Sequence, residues 1–146
     1  SSILMIGPGT GVAPYRAFLQ ERQNTKAKGE NWLVFGECHR KTDYYYEEYF
    51  ESLHKKKFLK INLAFSRDQE KKIYVQDRLM ENSFSVWKLI ESGGTVFVCG
   101  DAKRMAKDVS ATLQIILEKE GNLSTQDARS FMKEMRRGHK LLMDVY

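Results

Sequence analysis

Cysteine is scarce in this chain: two copies among 146 residues, Cys38 and Cys99. Two thiols so far apart make no disulfide framework, and a reducing, cytoplasmic setting is the simpler expectation. Proline is equally rare, and both copies, Pro8 and Pro14, fall in the opening stretch. No apolar run approaches the length needed to cross a bilayer, and no leader pattern is visible. No internal repeat or low-complexity tract stands out, which argues against a repeat architecture. No recognised nucleic-acid-binding motif appears, and the tyrosines gather on one predicted helix, not on a strand face. The usual dinucleotide fingerprint is also incomplete. After Gly7 and Gly9 that pattern asks for Gly or Ala where this chain has Val12. The second predicted strand ends without an acid in a clear ribose-binding role, Glu37 being the nearest candidate.

What is present suits one α/β domain over residues 1–146. Hydrophobic residues make up 42%, enough for a layered core. The net charge of +5 suits an anionic partner such as a nucleotide, a nucleic acid or an acidic protein face. A solvated basic surface accounts for the same number. The chain starts two residues before a core strand, from which we expect the C-terminal part of a longer polypeptide.

The first stretch, Ile3-Leu4-Met5-Ile6-Gly7-Pro8-Gly9-Thr10-Gly11-Val12-Ala13-Pro14, reads as buried strand, tight turn and helix, the helix running to about Arg22. Glycine serves such a turn in two ways. It adopts positive φ, and it lets a ligand phosphate reach the main chain. The helix that follows points unpaired N–H groups at an anion. Thr10 adds a hydroxyl, and Pro14 suits a first helical turn because its missing N–H leaves nothing unpaired. A ligand-free strand–helix turn explains the same residues.

Strand and helix then alternate. Trp32–Gly36, Leu59–Ser66 and Thr95–Gly100 read as strands, and Lys140–Tyr146 as a final short one. Helices are predicted after Thr42-Asp43 through Lys55, over Tyr74–Met80 and Phe84–Glu91, from Asp101 to about Lys119, and from Ser124 through Met135. Ser92-Gly93-Gly94 and Gly121-Asn122 are breaks. Strands joined by helices imply parallel pairing with right-handed crossovers. The expected result is a doubly wound, Rossmann-like, five-stranded parallel sheet with helices on both faces. Ligands on such sheets bind at the carboxyl ends of strands, and Gly7–Gly11, Gly36–Cys38, Ser66-Arg67 and Gly100-Asp101 all fall there.

Three further stretches carry candidate chemistry. Ser66-Arg67 follows a strand, and with Lys72 and Tyr74 it offers a planar cation, a point charge and two hydroxyls. That set suits a compact dianion such as the 2′-phosphate of NADP. An ordinary charged loop is the plainer account. Cys99, at a strand end beside Gly100, can meet a planar ligand closely, and the helix start beyond it favours thiolate character. A small buried apolar role is commoner for an unpaired cysteine. Asp101 is a helix cap on the plainest reading. At the C-terminus, Asp144-Val145-Tyr146 brings an acid and a ring toward the carboxyl edge of the sheet.

Together these stretches resemble the NADPH-binding domain of the ferredoxin–NADP reductase superfamily, diflavin reductase branch. The resemblance rests on Gly7–Pro14, on Ser66-Arg67-Asp68-Gln69 through Lys72-Ile73-Tyr74-Val75-Gln76, and on Val98-Cys99-Gly100-Asp101 with Met105–Val109. Within the branch, Asn31-Trp32-Leu33, Phe35-Gly36 with His39, Ser66–Gln69 and Asp144–Tyr146 resemble the sulfite reductase flavoprotein type. The cytochrome P450 reductase type, an alternative, carries tryptophan and one further residue where this chain has Tyr146.

The resemblance implies roles residue by residue. Gly9 and Thr10 would lie against the NADP pyrophosphate, with Arg40 a candidate cationic partner. Ser66, Arg67, Lys72 and Tyr74 would take the 2′-phosphate, and Gln76 would sit beside the adenosine end. Asp101 and Met105 would border the nicotinamide-side ribose and adenine. Cys99 and Asp144 would flank nicotinamide C4, and Tyr146 would stack on the flavin. FAD would be held mainly by a preceding domain, FMN by another, and a sulfite reductase hemoprotein subunit is an implied partner. No metal site, membrane segment or nucleic-acid role is expected. The rival readings are a non-catalytic NADP-binding module and a nucleic-acid binder.

Overall fold

The computed structural model describes residues 2–8, 19–24, 29–37, 60–65, 75–100 and 103–145. Among the described residues there are five strands: β1 (Ile3–Pro8), β2 (Asn31–Glu37), β3 (Lys60–Phe65), β4 (Thr95–Gly100) and β5 (Leu141–Val145). They form one sheet in the order β3-β2-β1-β4-β5, and each neighbouring pair is parallel. The helices are α1 (Val75–Glu81), α2 (Ser83–Glu91), α3 (Lys103–Glu120) and α4 (Thr125–Arg137), and residues 19–24 are also helical. The predicted helix from Thr42 to Lys55 lies outside the described residues.

Parallel strands need cover on both faces, and the apolar pattern supplies it. Leu4 and Ile6 of β1, Trp32 and Val34 of β2, and Val96 and Val98 of β4 share one cluster with residues of α1 to α4. Strand periodicity sends Ile3, Met5 and Leu33 to the opposite face, yet they too are buried. So the second face is covered as well. On α3, Val109, Leu113, Ile116 and Leu117 form the predicted core stripe, and all four are buried.

The boundaries follow local chemistry. Ser92-Gly93-Gly94 ends α2 in a turn: Gly93 has φ +88°, and the Gly94 N–H donates to the Leu89 carbonyl at 2.9 Å. Ser124 caps α4, its hydroxyl accepting from the Asp127 N–H at 3.1 Å. Asn122, with φ 54°, turns the chain between α3 and α4.

Two expectations are corrected. Gly7 and Pro8 belong to β1, paired with Phe35 and Gly36, so the turn starts later than the run of apolar residues suggested. Proline is tolerated there because pairing with β4 stops at Ile6, so Pro8 has a strand partner on one side only, as at a sheet edge. At the other end, β5 starts at Leu141: α4 runs on to Arg137, and a turn containing His139 at φ 57° takes up the next residues.

Candidate functional site

All five strands being parallel, their carboxyl ends share one edge of the sheet. β1 pairs with β2 on one side and with β4 on the other, so the crossovers leave β1 in opposite directions. The switch point therefore falls between β1 and β4, where open α/β sheets hold ligands. The register is Ile6 opposite Val98, which brings Gly7-Pro8 and Cys99-Gly100 to the edge as neighbouring strand ends.

Beside it, the β4–β5 register pairs Cys99 with Asp144 and Gly100 with Val145. Two candidate residues far apart in sequence thus become backbone neighbours at the predicted edge. Met105 lies in the first turn of α3, which follows the end of β4 and also holds Lys103 and Arg104. Among the described residues that turn contains no carboxylate. Gln76 opens α1 and is half-buried. β3 ends at Phe65, opposite Glu37, at the same edge. Gly9, Thr10, Arg40, Ser66, Arg67, Lys72, Tyr74, Asp101 and Tyr146 lie outside the described residues.

The amino edge is tied together by polar contacts. The Glu30 N–H donates to the Ser2 hydroxyl at 2.9 Å, and the Ile3 N–H donates to the Glu30 carbonyl at 2.8 Å. The Lys60 ammonium lies 3.9 Å from the centroid of the Trp32 ring and 4.0 Å from the Glu30 carboxylate. The Arg22 guanidinium donates to the side-chain oxygen of buried Asn31, and burial pulls its pKa below the ordinary arginine value. These groups brace the sheet at the end away from the switch point. Among the described residues no group of three His, Cys, Asp or Glu is placed to hold a metal, and no helix is long and apolar enough to cross a membrane.

Sequence reading passed over one feature. Arg129, Lys133 and Arg136 fall at i, i+4 and i+7 on α4, a spacing that could have marked them as one cationic face.

The switch point and paired strand ends define a nucleotide-binding α/β domain, and residues 5–111 match the family described as oxidoreductase NAD-binding domain. The chain belongs to that family. It is similar to the sulfite reductase (NADPH) flavoprotein alpha-component of Vibrio parahaemolyticus, with 46% identity over 145 residues, 99% of this chain and 23% of that protein. The protein of the same name from Bacillus subtilis is 45% identical, with 99% of this chain and 24% of that protein covered. The one from Zymomonas mobilis is 48% identical over 146 residues, again 99% of this chain and 24% of that protein. The chain spans about a quarter of the length of these relatives.

Proposed function

We propose that this chain is the NADP(H)-binding part of a flavoprotein reductase of the sulfite reductase type. The observation that carries the reading is the register of Cys99 against Asp144 at the carboxyl edge, next to the β1–β4 switch point. A cysteine and an aspartate at paired backbone positions on that edge suit a redox carboxamide ring better than a sensor module, which needs no reactive groups there.

The arrangement fits a dinucleotide. Two strand ends finish in Gly-Pro and Cys-Gly, the first turn of the helix beyond β4 carries Lys103 and Arg104, and the chain leaving β3 continues into Ser66-Arg67. When bound, NADPH supplies a hydride to N5 of FAD, the chemistry belonging to the cofactors. The protein binds and orients. Gly9 and Thr10, with Arg40, would hold the pyrophosphate, and Ser66, Arg67, Lys72 and Tyr74 would hold the 2′-phosphate. Gln76, Asp101 and Met105 border the adenosine and ribose. Cys99 and Asp144 stabilise charge developing at the ring and form no covalent bond to it. Tyr146 would be the residue that covers the flavin and yields to the nicotinamide ring. FAD and FMN belong to further domains of the same polypeptide, in the cytoplasm, and a sulfite-reducing hemoprotein is the partner that accepts the electrons.

Arg67→Ala tests the assignment by comparing NADPH and NADH affinity in isothermal titration. Each charge-assisted bond contributes roughly 1.5–3 kcal/mol, so NADPH should weaken on the order of tenfold to a hundredfold while NADH barely changes. Equal loss for both rejects the 2′-phosphate site.

A further inference from the structure

Beside the edge strand β5, the packed pair α3 and α4 encloses an open groove of about 220 Å³. Arg129, Lys133 and Arg136 of α4 line it, with Gln114 from α3 and an apolar floor of Met132 and Ala111. Among the described residues no carboxylate lines the groove. The three cations are exposed, and among the described residues none of their side chains makes an ion pair or hydrogen bond. Their neighbour Arg137 differs, because Glu134 holds it at 3.3 Å. The groove thus concentrates uncompensated positive charge over a buried methionine.

We propose that this groove docks an acidic segment of a partner protein, with carboxylates on either side of an apolar anchor. Three features select that occupant. From Arg129 to Arg136 the helix rises about 10 Å at 1.5 Å per residue, too far for one phosphate or carboxylate to bridge. A row of carboxylates on a peptide spans it. The floor of Met132 and Ala111 gives an apolar side chain a place to lose water, which a bare polyanion cannot use. Finally, unpaired guanidinium and ammonium groups on an exposed helix face steer acidic partners at long range without costly desolvation. The groove lies on α3 and α4, whereas the cofactor edge lies at the carboxyl ends of the strands, so the two sites are separately testable.

Fluorescence anisotropy with the full chain tests this. The probe is a fluorescein-labelled 15-residue peptide with three glutamates at helical i, i+4 and i+7 spacing around one leucine, and its control carries glutamine at those positions. The glutamate peptide should bind at least about tenfold tighter at low salt, a preference worth about 1.4 kcal/mol. That preference should vanish in the triple variant R129Q/K133Q/R136Q, checked for intact folding by circular dichroism. It should survive in K60Q/K88Q, which removes the same kind of charge elsewhere. Equal binding of both peptides, or an unchanged preference in the triple variant, overturns the proposal. So does a 15-nucleotide oligothymidylate that binds as tightly as the glutamate peptide and loses affinity in the same variant, since the groove would then read nucleic acid.

Discussion

At the scale of single residues, two adjacent glycines show how differently one residue type can be required. Gly93 has φ +88° with open space around a would-be Cβ, so its constraint is conformational. Gly94 is constrained by room. A Cβ there would stand 2.6 Å from Leu89 Cδ2 and 2.7 Å from the Leu89 carbonyl oxygen. The side chain can shift, but the carbonyl is held in the hydrogen bond that closes the helix. Gly93→Ala should cost roughly 1–2 kcal/mol in urea unfolding, the ordinary penalty of left-handed backbone. Gly94→Ala should cost about 1–3 kcal/mol through overpacking. Asparagine, which tolerates left-handed backbone better than alanine, should restore part of the loss at position 93 and none at position 94. Recovery at both positions, or at neither, contradicts the distinction. Trp32 sets the larger scale: it is 0% exposed, and Trp32→Ala should cost about 3–5 kcal/mol.

Among the elements, α4 stands where sequence signals say it should, because Ser124 satisfies an otherwise orphan N–H. Ser124→Ala should lose about 1 kcal/mol, read as a lower thermal midpoint, and Ser124→Asp should retain full stability. If aspartate destabilised as much as alanine, the hydroxyl would matter for something other than capping. β4 was legible in full, Thr95 to Gly100, because β-branched and apolar residues run unbroken between two glycine-marked turns. β1 was less so. Sequence reading closed it at Ile6 since Gly7-Pro8 has the composition of a turn, and only pairing with Phe35 and Gly36 keeps those residues in the ladder. Long-range pairing of that kind leaves no local trace. The same limit applied to the site. Cys99 and Asp144 could each be picked out as strand-end residues, but their register depends on where α3 and α4 return the chain. The basic face of α4 was missed for the opposite reason: mixed charge on an exposed helix is usually only solvated surface, and it took the groove against α3 to distinguish it.

For the whole molecule, the account rests on an asymmetry between the two edges of one parallel sheet. The amino edge is closed by Ser2, Glu30, Lys60 and the Arg22–Asn31 pair, while the carboxyl edge collects strand ends at a switch in strand order. Binding of an oxidoreductase cofactor at that carboxyl edge is the claim from which the residue roles follow. Its most direct test is amide chemical-shift mapping of the isotope-labelled chain during titration with NADP⁺. The account predicts the largest shifts at Ile6, Gly7, Gly9 and Thr10, at Val98 to Asp101 and at Asp144 and Val145, with NAD⁺ moving Ser66 and Arg67 far less than NADP⁺ does. Shifts confined to Ser2, Glu30 and Ser92 to Thr95 would place the ligand at the opposite edge and contradict it.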